Sequence, residues 1–399
     1  MYRYSKNIMT KQEKINGILG RGVEEAISKD HLRKALEGRK KLRIKLGIDP
    51  TSPDIHIGRA VVLWKLRAFQ ELGHQVIFLV GDFTGLVGDT SDKNAERPML
   101  SEAQVAANMK TYFDQAFKVL DKDKTELRRN SEWLKKLGFA EIARMADAFS
   151  LHEFSARENI KKRLDAGKRV SLRELVYPLM QGYDSVALKA DVELGGTDQR
   201  FNLLAGRVIQ PLYGQPPQDI MTTQLLEGTD GRKMSSSWGN TINLTDNPDL
   251  MFGKVMSIND DLIERYFTLA TQTLWKHINE IMKSYKNPRD QKLILAHTIT
   301  EQYHGPAAAK QAQENFVNQF SKKELPSKIL VKKIKPGTYP LADLLVNTGL
   351  AASKSEARRL ISQNGVKINQ NPAHEKAIII AQKNDLVIQV GKRKFIRIP

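Results

Sequence analysis

The 399-residue chain contains no cysteine, which removes disulfides and thiolate zinc sites together and is compatible with a reducing cytosol. Its eight histidines are scattered, without metal-ligand spacing. No apolar run approaches the roughly 18 residues of a membrane span. The N-terminus lacks an apolar signal core and carries Glu13, Glu24 and Glu25 early, so it reads as an opening helix and the protein as cytoplasmic. Acidic residues are the scarcer charge: Asp+Glu 45 against Lys+Arg 63 gives +18 and a pI near 9.7. Such an excess says nothing about fold, but it favours a polyanionic partner such as nucleic acid. A merely basic soluble protein would fit the charge equally well. What is present is a 41% apolar content, that of a folded globular protein. The length calls for two or three domains.

Residues 42–48 (LRIKLGI) alternate apolar and polar and break at Asp49-Pro50-Thr51-Ser52-Pro53, a strand entering a turn. Val61, Val62, Leu66 and Phe69 then recur at helix spacing from Gly58 to Leu72, and 75–81 (QVIFLVG) reads as a buried parallel strand. Strand, helix and strand within about 40 residues make a βαβ unit, so the first half is expected to be a doubly wound α/β domain. Residues 101–190 read as mostly helical, an insertion between the halves of the nucleotide fold. Residues 192–226 return to α/β character, and the pattern from Pro248 to Phe320 is helical. Ser321 to Lys335 holds six lysines and one glutamate and marks a boundary. Beyond it, a helix over 353–363 opens with a capping box, Ser353 and Glu356. Four strand-like runs follow, at 365–369, 376–381, 385–390 and 394–398. Residues 336–399 carry ten Lys+Arg and four Asp+Glu, a balance of +6.

Two segments carry chemistry. Asp54-Ile55-His56-Ile57-Gly58-Arg59 lies where the first strand's turn enters its helix, and a helix start offers free N–H groups and a positive dipole end to phosphate. Gly58 allows close approach, while His56 and Arg59 add donors. Alone, such a segment is most often an ordinary helix start. Gly231-Arg232-Lys233-Met234-Ser235-Ser236-Ser237 resists regular structure and reads as a mobile loop. Its Lys233 could close over a triphosphate and neutralise charge as it develops; a solvated surface loop is the bland alternative.

Together the two segments resemble the paired HIGH and KMSKS signatures of the class I aminoacyl-tRNA synthetases. Arg59 stands where that family has its second histidine, and Ser236 where the common form has its second lysine. A third set resembles the tyrosyl-tRNA synthetases of bacterial type. Tyr177-Pro178-Leu179-Met180-Gln181-Gly182-Tyr183-Asp184 is similar to their YxxxQxxD pattern, and Gly195-Gly196-Thr197-Asp198-Gln199 to GGSDQ. Gly47-Ile48-Asp49-Pro50-Thr51 matches GxDPT. Gly88-Asp89 with Lys93 and Arg97 matches a GD…K…R loop, with Thr90 and Asp92 in place of the usual Pro and Gly. Residues 340–399, through Ser353-Lys354-Ser355-Glu356-Ala357-Arg358-Arg359, look like an S4-type RNA-binding domain.

The resemblance implies a Rossmann-like catalytic domain with helical insertion over 1–245, an α-helical anticodon-binding domain over 246–320, a basic linker over 321–338 and an S4-like α+β domain over 339–399. It implies a tyrosine site in which Asp184 accepts from the phenol and Tyr177, Gln181 and Asp89 hold the ammonium, with Gly47 in the same cleft. Phenylalanine would leave the Asp184 carboxylate desolvated and unpaired. For ATP it implies Asp198 and the Gly196 backbone at the ribose, Asp49, Gly58 and Met234 lining the cleft, and Gln199 facing the reacting carboxylate. His56, Arg59 and Lys233, with Thr51, Lys93 and Arg97 beside them, would neutralise the leaving pyrophosphate, ATP coming with Mg²⁺. Lys354, Arg358 and Arg359 would meet tRNA(Tyr), and a homodimer would form through the insertion around 115–165. Two alternatives stand beside this reading: a tryptophanyl-tRNA synthetase, and an RNA-binding protein on a synthetase fold that has lost aminoacylation, which Arg59 and Ser236 would favour.

Overall fold

The computed structural model describes residues 9–89, 99–321, 329–373, 377–380, 386–391 and 394–399. The chain divides into two compact units, residues 1–313 and 314–399.

The first unit is built on a six-stranded sheet of β1 (Val23–Ile27), β2 (Arg43–Ile48), β3 (Gln75–Val80), β4 (Thr125–Arg129), β5 (Val192–Gly196) and β6 (Asp219–Thr223). Their spatial order is β1-β6-β5-β2-β3-β4. The five strands from β2 to β6 are parallel, and β1 adds antiparallel to β6. A parallel sheet is covered on both faces, which suits the unbroken apolar run of β3, where Val76, Ile77, Phe78 and Val80 are fully buried. From β2 the chain winds outward through β3 to β4, then returns to β5 and β6 on the other side. The strand order therefore reverses between β2 and β5. In open α/β sheets a crevice opens beyond the carboxyl ends of the strands at that point.

The first βαβ unit falls as expected, with the helix at Ile57–Glu71. The N-terminal stretch is helical over Lys11–Gly20, but it continues into β1, an edge strand whose VEEAI sequence is only partly buried and left little apolar signal. Within the insertion, the charged run TELRR forms β4, the opposite edge of the sheet, where exposure tolerates Arg and Glu. The insertion is otherwise a series of short helices ending in the long helix Arg173–Leu188, which carries Pro178 inside it. Residues 248–321 form a succession of helices joined by short loops, from Pro248–Met256 to Pro306–Ser321.

In the second unit, β7 (Leu330–Val331), β8 (Gly337–Pro340), β9 (Val366–Ile368), β10 (Asn371–Pro372), β11 (Ala377–Ile380), β12 (Leu386–Val390) and β13 (Lys394–Ile398) form a sheet ordered β10-β9-β12-β13-β7 and a separate β11-β8 ladder. Part of the stretch read as a linker is thus strand. Helices Leu341–Thr348 and Lys354–Ser362 close a core of Leu344, Leu345, Ala357, Val366, Ile388 and Ile398. The Ser353 hydroxyl accepts from the Glu356 N–H, half of the expected capping box. The Glu356 carboxylate reaches the Ala352 N–H instead of that of Ser353.

Candidate active site

A cavity of about 500 Å³ opens at the carboxyl ends of β2 and β5. Its lining holds Asp184 and Lys233 together with His56, Arg59, Thr51, Gly58 and Met234, and with Gly47, Asp49, Asp89, Tyr177, Gln181, Gly196, Asp198 and Gln199. Residues nearly 190 positions apart in sequence thus share one space. Lys93 and Arg97 lie outside the described residues.

At one end of the cavity, His56 is the N-cap of the Ile57–Glu71 helix, its Nδ1 accepting from the Arg59 N–H at 3.3 Å. That bond puts the ring proton on Nε2, as a donor. Burial, with the charges of Arg59 and Lys233 nearby, pushes the His56 pKa down to about 3, so the imidazole is neutral at ordinary pH. The Arg59 guanidinium donates to the Tyr112 hydroxyl at 2.9 Å and to Thr51 Oγ1 at 3.3 Å. Gly58 is the contact point between the two motifs: a Cβ there would stand 3.0 Å from His56 Nδ1 and 3.4 Å from Met234 Cβ. The segment expected to be an open loop is anchored at Met234, which is buried and donates its N–H to the Leu226 carbonyl at 2.9 Å. From that anchor Lys233 reaches back to Asp198, 3.0 Å away, and the Ser236 and Ser52 hydroxyls meet at 3.3 Å.

The other end is closed and polar. Asp184 is 3% exposed. Its Oδ1 accepts from Trp133 Nε1 at 2.7 Å and its Oδ2 from Asn130 Nδ2 at 3.2 Å. Burial pushes its carboxyl up to about 7, against the pull of the Lys45 ammonium and these two donors. Tyr177 donates its hydroxyl proton to Asp49 Oδ2 at 2.8 Å, and Thr84 donates to Asp49 Oδ1 at 2.7 Å. Asp49 therefore braces Tyr177 as well as lining the cavity. Gly81 makes room for this pair, since a Cβ there would fall 2.0 Å from Asp49 Oδ1. Burial, with the Asp49 and Asp89 carboxylates, holds the Tyr177 phenol well above its usual pKa and so protonated. Gln199 donates to Asp89 at 2.7 Å and Gln181 to Glu193 at 3.0 Å.

Residues 37–321 match the class I tRNA synthetase family of W and Y, and residues 318–398 match the tyrosine–tRNA ligase SYY-like C-terminal domain. The tyrosine–tRNA ligase of Thermotoga maritima is 48% identical over 395 residues, covering 98% of each chain. The chain belongs to the tyrosine–tRNA ligase family. The ligase of Carboxydothermus hydrogenoformans is 46% identical, covering 96% of each chain. In fold, the chain is similar to a C-terminally truncated Aspergillus nidulans mitochondrial tyrosyl-tRNA synthetase, with TM-score 0.65 and 23% identity over 77% of this chain and 94% of that one.

For a member of this family the sequence motifs left several cavity residues unnoticed. Lys45 and Glu193 are buried in the cavity's own wall, and Asn130 and Trp133 hold Asp184. Lys45 is one of the polar positions of an alternating strand, a pattern that by itself fits a solvent-facing side. In a central parallel strand no such face exists, and a lysine there is a signal in itself. Asn130 and Trp133 follow the edge strand β4, where nothing local marks them. In the second unit Lys354, Arg358 and Arg359 are exposed, and Lys354 pairs with Asp343 at 2.8 Å.

Proposed function

We propose that the chain activates tyrosine with ATP to tyrosyl-adenylate and pyrophosphate, then transfers the tyrosyl group to the 3′ end of tRNA(Tyr). The observation that carries this reading is the single cavity lined both by a buried carboxylate, Asp184, and by the basic groups of two distant motifs. The Asp184 carboxylate accepts the phenol proton of tyrosine. Tyr177, Gln181 and Asp89 offer acceptor oxygens to the ammonium: the Tyr177 proton is committed to Asp49, so its oxygen is free to accept. Gln199 faces the substrate carboxylate.

One carboxylate oxygen of tyrosine attacks the α-phosphorus in line, and the bond to the pyrophosphate oxygen breaks. The substrate is its own nucleophile, so catalysis consists of alignment and of neutralising charge on the leaving group. Lys233, Arg59 and the Nε2–H of neutral His56 supply that charge and those donors, with Thr51 beside them and Lys93 and Arg97 assigned to the same role. Asp198 and the Gly196 backbone hold the ribose, and Gly47, Asp49, Gly58 and Met234 shape the cleft. Magnesium is taken to arrive on the triphosphate. A ribose hydroxyl of the tRNA terminus then attacks the carbonyl carbon, and AMP leaves. The exposed Lys354, Arg358 and Arg359 bind the tRNA backbone. Exposed apolar residues of the insertion, Phe139, Leu151 and Leu172, support a homodimer through that region, and among the described residues no helix is long and apolar enough to cross a membrane. We place the protein in the cytoplasm.

Tyrosine-dependent ATP–pyrophosphate exchange, with tryptophan and phenylalanine as controls, tests the reading. Exchange with tyrosine alone is expected. Exchange driven by tryptophan would favour the tryptophanyl alternative, and no exchange at all would leave only an RNA-binding role.

A further inference from the structure

In the wall of the cavity lies an ion pair that none of the motifs contains. Lys45, on β2, and Glu193, on β5, are 0% and 1% exposed, and the Lys45 ammonium is 3.0 Å from Glu193 Oε1. Every bonding position of both groups is filled. The three ammonium hydrogens go to Glu193, to Ser185 Oγ at 2.8 Å and to the Gln181 carbonyl at 3.1 Å. The Glu193 carboxylate, an acceptor only, takes Lys45 and Gln181 Nε2 on one oxygen, and Ser185 Oγ at 3.1 Å and Gln218 Nε2 at 2.5 Å on the other. Neither group keeps a valence for a substrate, so the pair acts through its partners.

Its consequence falls on Gln181. A side-chain amide has a donor end and an acceptor end of nearly the same shape, and its orientation is set by what it faces. Facing a carboxylate, Gln181 must present its NH₂. Its backbone carbonyl is held by Lys45 at the same time. The amide oxygen is then the end left for the cavity, an acceptor for a cation.

We propose that the Lys45–Glu193 pair is a positioning pair for amino-acid recognition: by fixing the Gln181 amide with its oxygen toward the cavity, it makes the site selective for the substrate's α-ammonium. The proposal rests on the tyrosine-activating reading above. Lys45 supplies the counter-charge that lets Glu193 stay buried without itself attracting the ammonium.

Glu193→Gln tests it. A carboxamide in that place offers Gln181 either an oxygen or an NH₂, so the orientation is no longer imposed. The readout is a pair of dissociation constants: tyrosinol, which has the phenol and the ammonium, and 3-(4-hydroxyphenyl)propionate, which has the phenol but no ammonium. Tyrosinol is expected to weaken at least tenfold and the desamino ligand to stay within threefold. KM for tyrosine should rise while KM for ATP holds. Should Glu193→Gln not fold, Lys45→Met/Glu193→Gln carries the same expectation without a lone buried charge. Parallel loss of both ligands means a general collapse of the pocket and overturns the proposal, as does unchanged binding of both. A wild-type protein that binds neither ligand and shows no tyrosine-dependent exchange would instead refute the functional reading itself.

Discussion

Replacing Asp184 by asparagine changes almost no volume but halves the number of acceptor oxygens at the closed end of the cavity. In the native site Trp133 occupies Oδ1 at 2.7 Å and Asn130 occupies Oδ2 at 3.2 Å. Both oxygens keep lone-pair capacity for a phenol proton. The substituted amide has one oxygen, and its NH₂ must face one of the two native donors. One buried N–H then loses its partner, which costs about 1–3 kcal/mol. The phenol's bond also drops from charge-assisted to neutral, roughly halving its strength and costing about 1 kcal/mol more. The sum of about 2–4 kcal/mol corresponds to a fall of about 30- to 1,000-fold in kcat/KM for tyrosine. Phenylalanine responds the other way. Its bare ring leaves the native carboxylate desolvated without a donor, and the neutral amide suffers less from this. The ratio of tyrosine- to phenylalanine-dependent pyrophosphate exchange should therefore fall by at least the loss seen with tyrosine alone. A folded Asp184→Asn protein whose ratio stays within threefold of the native one would refute the assignment of the phenol to Asp184.

The same carboxyl has a stability signature. Its pKa of about 7 in the fold lies above the ordinary 3.8, so the folded state holds the extra proton between those values and its stability falls as pH rises through that window. The Asp184 contribution is at most about 4 kcal/mol; the melting temperature of Asp184→Asn relative to native should climb from pH 4 to pH 8, and a pH-independent difference would contradict the shift. Lys233→Ala removes one preorganised charge and should lower kcat for exchange about 10²–10³-fold at unchanged melting temperature; near-native exchange would take Lys233 out of the mechanism. Lys354→Ala/Arg358→Ala/Arg359→Ala should weaken tRNA binding without touching exchange. The salt dependence of tRNA binding should lose the slope of up to three phosphate contacts, and an unchanged slope would exclude this helix from the tRNA surface. Finally, Phe139→Asp/Leu151→Asp should shift the mass measured by light scattering from dimer to monomer; a retained dimer would place the interface elsewhere.

What the sequence shows of this fold depends on where each residue sits in the sheet. Interior strands carry both faces of the core, so β3 stands out as an apolar run and β2 as an alternating one that breaks at turn residues, and their ends locate the site. The edge strands β1 and β4 have sequences, VEEAI and TELRR, that solvent permits to be charged, and neither gave a strand pattern. The site divides along the same line. The residues proposed to meet a substrate, from Gly47 to Asp198, lie in short spaced segments at strand ends, at a helix start and along one helix, where backbone geometry and chemistry coincide. The residues that orient them do not. Asn130 and Trp133 reach Asp184 from behind the charged edge strand, and Lys45 and Glu193 meet only because β2 and β5 are neighbours across the reversal of strand order. Such a pair has no sequence spacing to read, since its members lie far apart along the chain and their contact exists only once the sheet has formed. A buried lysine in the middle of a parallel sheet is costly unless its charge and all its hydrogens are matched. That cost is why it signals a role: an apolar residue would fill the same space, but it could not hold a carboxylate there to turn an amide toward the substrate.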